Sequence, residues 1–515
     1  MRKSAPRTTE YRLAEPKRSI GQVKDPPQEY LVFEDAARLS GRAPIHLRGS
    51  SCERERLLRK YADRIQVGEK LTRSLVSFQG NKSAPCYRWL KFKEGFSEAF
   101  VRHVLEAYAP SVSRERRLLD PFAGSGTTVT CGAEQGWDAW GIELMPVGVA
   151  AARSRVLAHR APVEKARQWL RKIKDAGLAR FPKRRWRFPH LAITAGAFPP
   201  ETEDGLARYQ SFLQAMPDPD TRDLFWFASL CVLEDVSYTR KDGQYLRWDS
   251  RSPRDLQTAF NKGLIVPFDV AVARKAEEML QDVESRRAAP CPPEKVHLIQ
   301  GSCLAELPQM AENSFDMVVT SPPYCNRYDY TRTYALELAY MGYDDDAIKL
   351  LRQTLLSATV ENRSKRQTLR REYEARHAMA MHDKAVKAFE RQAALQEVLE
   401  NLRAARDSGS LNNSNIPRLV ENYFFEMSFV VHELGRVLAP GGRVVMVNDN
   451  VRYHGEEAPA DLILAEFAES AGLTVDAILT LKRGKGNSSQ QMGAHGRSEL
   501  RKCVYVWSKP NAARA

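Results

Sequence analysis

The sequence lacks the features of a membrane or secreted protein. It contains no uninterrupted apolar run of about 18 residues, so no transmembrane helix is expected. The basic N-terminus, MRKSAPRTTEYRLAEPKRS, has no apolar core of the kind found in secretion signals. We therefore expect a cytoplasmic protein that has no membrane partner.

Patterns typical of metal sites and disulfide frameworks are also missing. The eight cysteines are scattered, without a Cys-x-x-Cys pair and without paired Cys/His spacing. A structural zinc site needs such closely spaced ligands, so no metal is expected. Free thiols are typical of a reducing compartment. Cys325 lies beside a Pro-Pro-Tyr turn, and we interpret it as a small hydrophobic residue rather than a nucleophile.

Negative charge is in deficit. The 515 residues include 78 Lys and Arg against 64 Asp and Glu, which gives a formal net charge of +14. This excess favours a polyanionic partner such as a nucleic acid, although many basic proteins bind none. A chain of this length can bury a large core and is expected to contain more than one domain.

A glycine-rich turn follows an apolar pair near residue 120. Residues 120–128 read Asp-Pro-Phe-Ala-Gly-Ser-Gly-Thr-Thr, between Leu118-Leu119 and an amphipathic segment. This pattern predicts a strand, a turn and a helix, the arrangement in which open α/β sheets bind nucleotides. Glycines 124 and 126 permit positive φ and a close approach to a ligand. The turn lacks the third glycine of G-x-G-x-x-G and the lysine of a phosphate-binding loop, which disfavours a dinucleotide or phosphate.

An acidic residue ends the next predicted strand. Residues 138–143 form a short apolar segment that finishes at Glu143. An acid in this position can accept hydrogen bonds from ribose hydroxyls. Apolar neighbours Phe122, Ile142 and Leu144 could line a slot for adenine. The aspartate that opens the turn would repel a phosphate but would suit an ammonium group.

A second motif, Thr-Ser-Pro-Pro-Tyr at 320–324, directly follows the apolar residues 317–319. Two prolines fix φ and hold the preceding residue extended, which can aim carbonyl groups away from a strand end. If the Ser321 side chain and the Pro322 carbonyl accept both hydrogens of an exocyclic amine, its nitrogen becomes more sp³-like and can attack a methyl group. Tyr324 could stack on a base that has left the duplex. In isolation, Pro-Pro-Tyr would indicate only a plain turn.

Together, the two motifs resemble the S-adenosylmethionine-dependent DNA methyltransferases that modify exocyclic amines of cytosine or adenine. The resemblance covers roughly 85–155, 294–342 and 416–510. It implies S-adenosyl-L-methionine as cofactor and double-stranded DNA as partner. A cognate restriction or defence nuclease is a further partner that it allows.

The serine form of the motif is frequent among cytosine-N4 enzymes but also occurs in adenine-N6 enzymes. The expected function is therefore site-specific N4 methylation of cytosine in DNA, in restriction–modification or phage defence. Adenine-N6 methylation is the nearest alternative. An RNA or small-molecule amine methyltransferase on the same fold, or a non-catalytic DNA-binding subunit, is a further alternative.

The resemblance also assigns site residues. The implied catalytic residues are Ser321, Pro322, Pro323 and Tyr324. The implied donor-binding residues are Phe96, Asp120, Pro121, Phe122, Gly124, Gly126, Thr127, Glu143 and Ser302. Ser302 departs from the family pattern, which usually has Gly-Asp where this chain has Gly301-Ser302. A hydroxyl can still bond the adenine of the donor, but without charge.

Strands that alternate with helices predict an α/β fold, a doubly wound, mainly parallel, seven-stranded methyltransferase sheet with two inserts. One insert is expected to recognise the target and the other to be long-helical. Residues 346–406 contain neither proline nor glycine, so one or two long helices are expected there. The expected segments are an N-terminal arm and helix (1–80), three core parts (81–159, 294–343 and 416–515), the recognition insert (160–293) and the helical insert (344–415).

No recognition domain is expected after the last core strand, so the inserts are expected to read DNA. Two basic aromatic stretches, 183–187 and 238–254, could follow phosphates and stack on bases. The candidate nucleic-acid-binding residues are Arg184, Arg185, Arg187, Arg240, Lys241, Arg247 and Trp248. The alternative is a solvated basic face with buried tryptophan anchors.

Overall fold

A computed structural model describes residues 52–111, 115–242, 245–286, 291–482 and 500–511. Most of the predicted N-terminal arm lies outside these ranges. The strands are β1 (Ile65–Val67), β2 (Arg117–Asp120), β3 (Asp138–Glu143), β4 (Thr239–Asp242), β5 (Tyr245–Trp248), β6 (Val296–Gln300), β7 (Phe315–Thr320), β8 (Leu438–Asp449), β9 (Val451–Tyr453), β10 (Glu456–Ala458), β11 (Thr474–Thr480) and β12 (Lys502–Ser508).

The α-helices connect these strands and form both inserts. They are α1 (Cys52–Lys60), α2 (Glu98–Tyr108), α3 (Thr127–Glu134), α4 (Pro146–Ala158), α5 (Val163–Ala176), α6 (Pro200–Gln214), α7 (Pro219–Val232), α8 (Phe268–Arg286), α9 (Cys303–Glu306), α10 (Tyr330–Thr333), α11 (Ala335–Tyr340), α12 (Asp345–Thr354), α13 (Arg366–Ala375), α14 (Met379–Arg391), α15 (Ala393–Asp407), α16 (Ile416–Val437) and α17 (Ala460–Ser470).

In the described residues, one sheet contains eight strands in the order β1-β11-β12-β8-β7-β2-β3-β6. β12 is antiparallel to both of its neighbours, and the other neighbouring pairs are parallel. The prediction of a mainly parallel α/β sheet is therefore confirmed, with one strand more than expected. The helical spacing of Leu, Tyr, Ile and Leu over about 55–75 predicts that the helix of the 1–80 segment runs through this stretch, but α1 ends at Lys60 and Ile65 pairs with Ile478. Pairing along the sheet edge outweighs the helical pattern there.

The centre of the sheet is covered on both faces. Every residue of β7 is buried, as expected for a parallel strand between helical layers. On one side lies α16, which is buried through nearly all of its 22 residues. The helix lies between the sheet and the helical insert, and its buried Glu426 carboxylate is paired with the Lys365 ammonium at 2.9 Å.

The helical insert consists of four shorter helices, α12 to α15, rather than one or two long ones. The chain turns between α13 and α14 at His377, which has a positive φ of 57°. It turns again at Gln392, whose side chain accepts a hydrogen bond from the backbone N–H of Leu395 and caps α15. These turns fold the helices back so that Tyr373 and Phe389 pack with residues of α16. Burial of this apolar surface outweighs the uninterrupted helical propensity of the segment.

Residues 160–293 form helices α5 to α8 and a two-stranded antiparallel hairpin, β4–β5. Their apolar core includes Leu170, Phe212 and Leu280, and it is continuous with Phe92 beside the glycine-rich turn. The hairpin is joined to α11 by an ion pair between the Lys241 ammonium and the Glu337 carboxylate, both almost completely buried. Among the described residues, none of the helices is both long and apolar enough to cross a membrane.

We expect Lys241→Met to lower stability, because it leaves the Glu337 carboxylate buried without its cation. Removing one partner of a buried pair typically costs about 3–5 kcal/mol. The measurement is the thermal midpoint by scanning calorimetry. The matched control, Lys241→Met with Glu337→Gln, removes both charges and should recover most of the loss. A single variant as stable as the native protein would contradict a structural role for the pair.

Candidate active site

Four neighbouring strands end at one edge of the sheet, and each brings a predicted residue there. Asp120 is the last residue of β2, and Glu143 is the last residue of β3. Ser321 directly follows β7, and Ser302 lies two residues after β6. The sheet order β7-β2-β3-β6 makes these ends adjacent, because parallel strands present their carboxyl ends at the same edge.

The glycine-rich turn is packed too closely for side chains. Gly124 and Gly126 have φ values of +53° and +77°, where glycine is favoured. A Cβ at Gly126 would lie 2.5 Å from the Cβ of Ala152 in α4, and one at Gly124 would lie 3.0 Å from the Phe92 ring. Gly148 in α4 likewise has no room, since its Cβ would lie 2.5 Å from the Gly124 carbonyl oxygen. The turn is therefore held between α4 and Phe92.

Asp120 connects this turn to the Ser-Pro-Pro-Tyr motif (residues 321–324). Its carboxylate accepts a hydrogen bond of 2.6 Å from the Thr320 hydroxyl and one of 3.0 Å from the Phe122 backbone N–H. Burial raises the pKa of the Asp120 carboxyl to about 6, although these hydrogen bonds favour the ionised form. Thr320 immediately precedes Ser321, so its hydrogen bond to Asp120 links the glycine-rich turn to the Ser-Pro-Pro-Tyr motif.

Glu143 closes the turn from the other side. Its two carboxylate oxygens accept hydrogen bonds of 2.6 Å from the backbone N–H groups of Gly124 and Met145. Burial raises the pKa of Glu143 to about 7, more than these donors lower it. Both protonation states of Glu143 are therefore accessible near neutral pH.

These residues line an open cleft with about 770 Å³ of empty space, part of which is open to solvent. The predicted residues that it brings together are Phe96, Asp120, Pro121, Phe122, Gly124, Thr127, Glu143, Ser302, Ser321 and Pro323. Ile142 and Leu144 also contribute to the wall. Gly126, Pro322 and Tyr324 lie outside the lining, next to residues that form it. We refer to this space as the donor cavity, after the predicted donor-binding residues that line it.

Several lining residues were missed by sequence reasoning. The main ones are Phe92, Glu94, Met145, Cys303, Tyr330, Leu355 and Leu356. Phe92 and Glu94 lie within four residues of Phe96, which the resemblance implied as a donor-binding residue. Leu355 and Leu356 follow α12 in the helical insert, and no local pattern indicates that they reach this cavity. Ser302 is close to the same segment, with its hydroxyl 3.5 Å from the Thr354 carbonyl oxygen.

The Phe92 ring covers the glycine-rich turn and packs against Tyr334, the residue that directly precedes α11. The two rings stack with centroids 5.3 Å apart. The Tyr334 hydroxyl accepts a hydrogen bond of 2.7 Å from the Lys93 backbone N–H. The Lys241 ammonium lies 4.8 Å from the Tyr334 ring centroid. The hairpin of the 160–293 insert is therefore connected to the wall of the donor cavity.

The Ser-Pro-Pro-Tyr motif is ordered by an internal hydrogen bond. The Ser321 hydroxyl donates to the Tyr324 hydroxyl at 3.1 Å, and Tyr324 is only 3% exposed. Burial raises the pKa of Tyr324 to about 12, so the phenol is neutral at physiological pH. Burial also raises the pKa of Cys325, which keeps its thiol protonated and unsuited to nucleophilic attack.

Most of the candidate nucleic-acid-binding residues are accessible. Arg184, Arg185 and Arg187 are exposed. On the hairpin, exposed Arg240 and Arg247 lie opposite each other, with their guanidinium groups 5.7 and 4.1 Å from the Phe260 ring centroid.

Two hairpin residues face inward. The Lys241 ammonium is buried in an ion pair with the Glu337 carboxylate and is not available to a phosphate. The prediction that Lys241 binds nucleic acid is therefore wrong. Trp248 is half-buried, with the Arg254 guanidinium 4.5 Å from its ring centroid.

Comparison with known proteins gives long, continuous matches. The chain is 42% identical over 471 residues to type II methyltransferase M.AvaI from Nostoc sp. and from Anabaena variabilis, covering 88% of this chain and 92% of each relative. It is 38% identical over 474 residues to type II methyltransferase M.BsoBI from Geobacillus stearothermophilus, covering 89% and 92%. No protein-family model matches the chain. No solved structure matches it either.

The ionisation of Glu143 predicts a pH-dependent affinity for S-adenosylhomocysteine. With a pKa of about 7, the Glu143 carboxyl is mostly protonated at pH 6.5 and mostly ionised at pH 8, and only the carboxylate can accept from the two ribose hydroxyls that the sequence predicts it to bind. Affinity measured by calorimetric titration should therefore rise about fourfold between pH 6.5 and 8, which is the change in ionised fraction of one such group. Glu143→Gln should bind more weakly and lose this pH dependence. An unchanged slope in the variant would assign the titration to another group.

Proposed function

The chain belongs to the type II methyltransferases, the DNA-modifying enzymes of restriction–modification systems, and from this premise we propose that it methylates the N4 amine of cytosine in a specific DNA sequence. S-adenosyl-L-methionine is the proposed donor. The observation that carries the proposal is the convergence of Asp120, Glu143 and Ser321 on one cavity.

The donor cavity fits a ligand that carries an ammonium, a ribose and an adenine. Asp120 supplies an anion for the ammonium at the start of the glycine-rich turn. Glu143 supplies acceptors for the ribose hydroxyls, and Ile142, Phe122 and Leu356 supply apolar surface for the adenine. When bound, S-adenosylmethionine provides an electrophilic methyl group. The protein binds and orients that group, because positioning of the two reactants accounts for much of such a rate.

The Ser-Pro-Pro-Tyr motif is the proposed site of the target amine. The Ser321 side chain and the Pro322 carbonyl accept its two hydrogens and direct its lone pair toward the donor. Tyr324 is the proposed stacking surface for the base. No cysteine adduct is needed, since an exocyclic amine attacks directly, and this agrees with the buried, protonated Cys325.

The proposed DNA interface is the outer face of the hairpin with the 183–187 stretch. Arg240 and Arg247 project from this face, while strand β5 contacts α10, which carries the cavity residue Tyr330. Cationic side chains beside the site would hold phosphates, and contacts to base edges would set the sequence. We further propose that a cognate nuclease acts on the same DNA sequence.

Expression in a host without such marks, followed by genome sequencing with base-modification detection, tests the function. We expect N4-methylcytosine at one recurring sequence. The matched control is Gly124→Asp, which places a carboxylate against the Phe92 ring and should leave the genome unmarked. N6-methyladenine would instead favour the adenine alternative. The absence of any mark from a folded protein that binds S-adenosylhomocysteine would contradict DNA methylation and favour an RNA substrate.

Replacing Arg184, Arg185 and Arg187 by Ala should weaken binding to all DNA sequences and leave the methylated motif unchanged. Each lost phosphate contact should lower the slope of log affinity against log salt by about one. The measurement is a fluorescence titration at several salt concentrations. The control replaces three exposed cations of the helical insert, Arg370, Arg371 and Lys387. A larger effect in the control would place the DNA interface on that insert.

A further inference from the structure

A lysine on the last strand lies against the tyrosine of the motif. Lys502 begins β12 and pairs with Asp449 at the end of β8, the strand next to β7. Its ammonium is 5.2 Å from the centroid of the Tyr324 ring and 3.4 Å from an oxygen of Asp449. It therefore lies at the sheet edge where the donor cavity and the motif meet.

The surroundings of Lys502 keep it charged. Burial opposes the charge, but Tyr324, Asp449 and Glu94 together outweigh that effect and raise the pKa of Lys502. Glu94 lines the donor cavity and is held in a left-handed conformation with a φ of 61°. Two acids thus act on this cation, and one of them, Glu94, belongs to the cavity wall.

The pairing with Asp449 leaves part of the Lys502 side chain accessible. The Lys502 side chain retains 25% of its exposure, and that of Asp449 retains 35%. The ammonium lies over the ring of Tyr324, which is the surface proposed to stack on the target base. A base that enters this position must therefore meet the ammonium.

The positions of Ser321 and Lys502 around the Tyr324 ring determine which groups of the base each residue can contact. The hydroxyl end of Tyr324 is at Ser321, one of the proposed acceptors for the target amine. When the amine lies at Ser321, the rest of the Watson–Crick edge can face the ammonium. In cytosine that edge continues with two acceptors, N3 and the O2 carbonyl. In adenine it continues with the acceptor N1 and then a C–H group.

An ammonium group can only donate hydrogen bonds, so it matches an edge with two acceptors better than an edge with one. We propose that Lys502 is a specificity-determining residue that recognises the O2 side of the flipped cytosine. This inference rests on the proposed cytosine-N4 function. A site built to bond a substrate carbonyl discriminates strongly against an analogue that lacks it, because its polar group is then left unpaired.

The test is a cycle of two enzymes and two substrates. One DNA carries cytosine at the target position, and the other carries a 2-aminopyridine C-nucleoside, which keeps the amine and ring nitrogen but lacks O2. The ratio of kcat/KM for the two substrates is measured for the native enzyme and for Lys502→Met. Differences in amine reactivity cancel between the enzymes. A partly unfolded variant also leaves the ratio unchanged, since both of its rates fall by the same factor.

We expect the preference for cytosine over the analogue to be about 10- to 100-fold larger in the native enzyme than in Lys502→Met, as for a hydrogen bond to a charged group. Lys502→Arg should retain part of the preference. Lys502→Met with Asp449→Asn, which also removes the charge of the acid paired with Lys502, should behave like the single variant. The control Lys91→Met removes an exposed cation near Phe92 and should keep the native ratio.

Equal ratios in the native enzyme and Lys502→Met would overturn the inference and leave Lys502 a structural ion-pair residue, while cytosine methylation would stand. N6-methyladenine in the genome of cells that express the native enzyme would overturn both the inference and the proposed function. The two failures are therefore distinguishable.

Discussion

A hydrogen bond of 2.6 Å from the Thr320 hydroxyl to the buried Asp120 carboxylate joins the two strands that carry the site. Asp120 opens the glycine-rich turn on β2, and Thr320 is the last residue of β7 before the motif. Because both residues are almost completely buried, the bond is shielded from water and fixes the glycine-rich turn relative to Ser321. The reactants of a methyl transfer must be aligned, and this constraint allows little relative movement of their binding sites.

Ionising Asp120 and Glu143 in the donor cavity costs solvation free energy, because burial removes water from both carboxylates. Burial raises the pKa of Asp120 to about 6 and that of Glu143 to about 7. Each carboxylate is instead supported by hydrogen bonds from the protein, including backbone N–H groups of the glycine-rich turn. A ligand with an ammonium and ribose hydroxyls would offer further donors to the same groups. Polar groups fixed before binding need no reorganisation when the ligand arrives, which explains why an unfavourable burial can be retained.

The two inserts are parts of the site wall as well as additions to the core. Leu355 and Leu356 extend the donor cavity from the helical insert. From the other insert, Lys241 pairs with Glu337 and lies over the ring of Tyr334, on which Phe92 stacks. The proposed DNA-binding face of the hairpin is therefore linked to Phe92 in the cavity wall by a short series of packed side chains. The long sequence matches to M.AvaI and M.BsoBI extend over both inserts, which agrees with their integration into the fold.

Local patterns were sufficient to predict the motifs, the mainly parallel sheet and the strand-end positions of Asp120, Glu143 and Ser321, since a turn between strand and helix depends on nearby residues. They were insufficient wherever the outcome depends on packing between distant segments. The eighth strand exists because Ile65 pairs with Ile478, and the helical insert is folded into four helices because it packs on α16. The buried position of Lys241 and the placement of Leu356 and Lys502 follow from contacts between segments far apart in the sequence, such as the 96 residues that separate Lys241 from Glu337. Such contacts have no periodicity in the sequence, so only the tertiary structure determines which side chains reach the site.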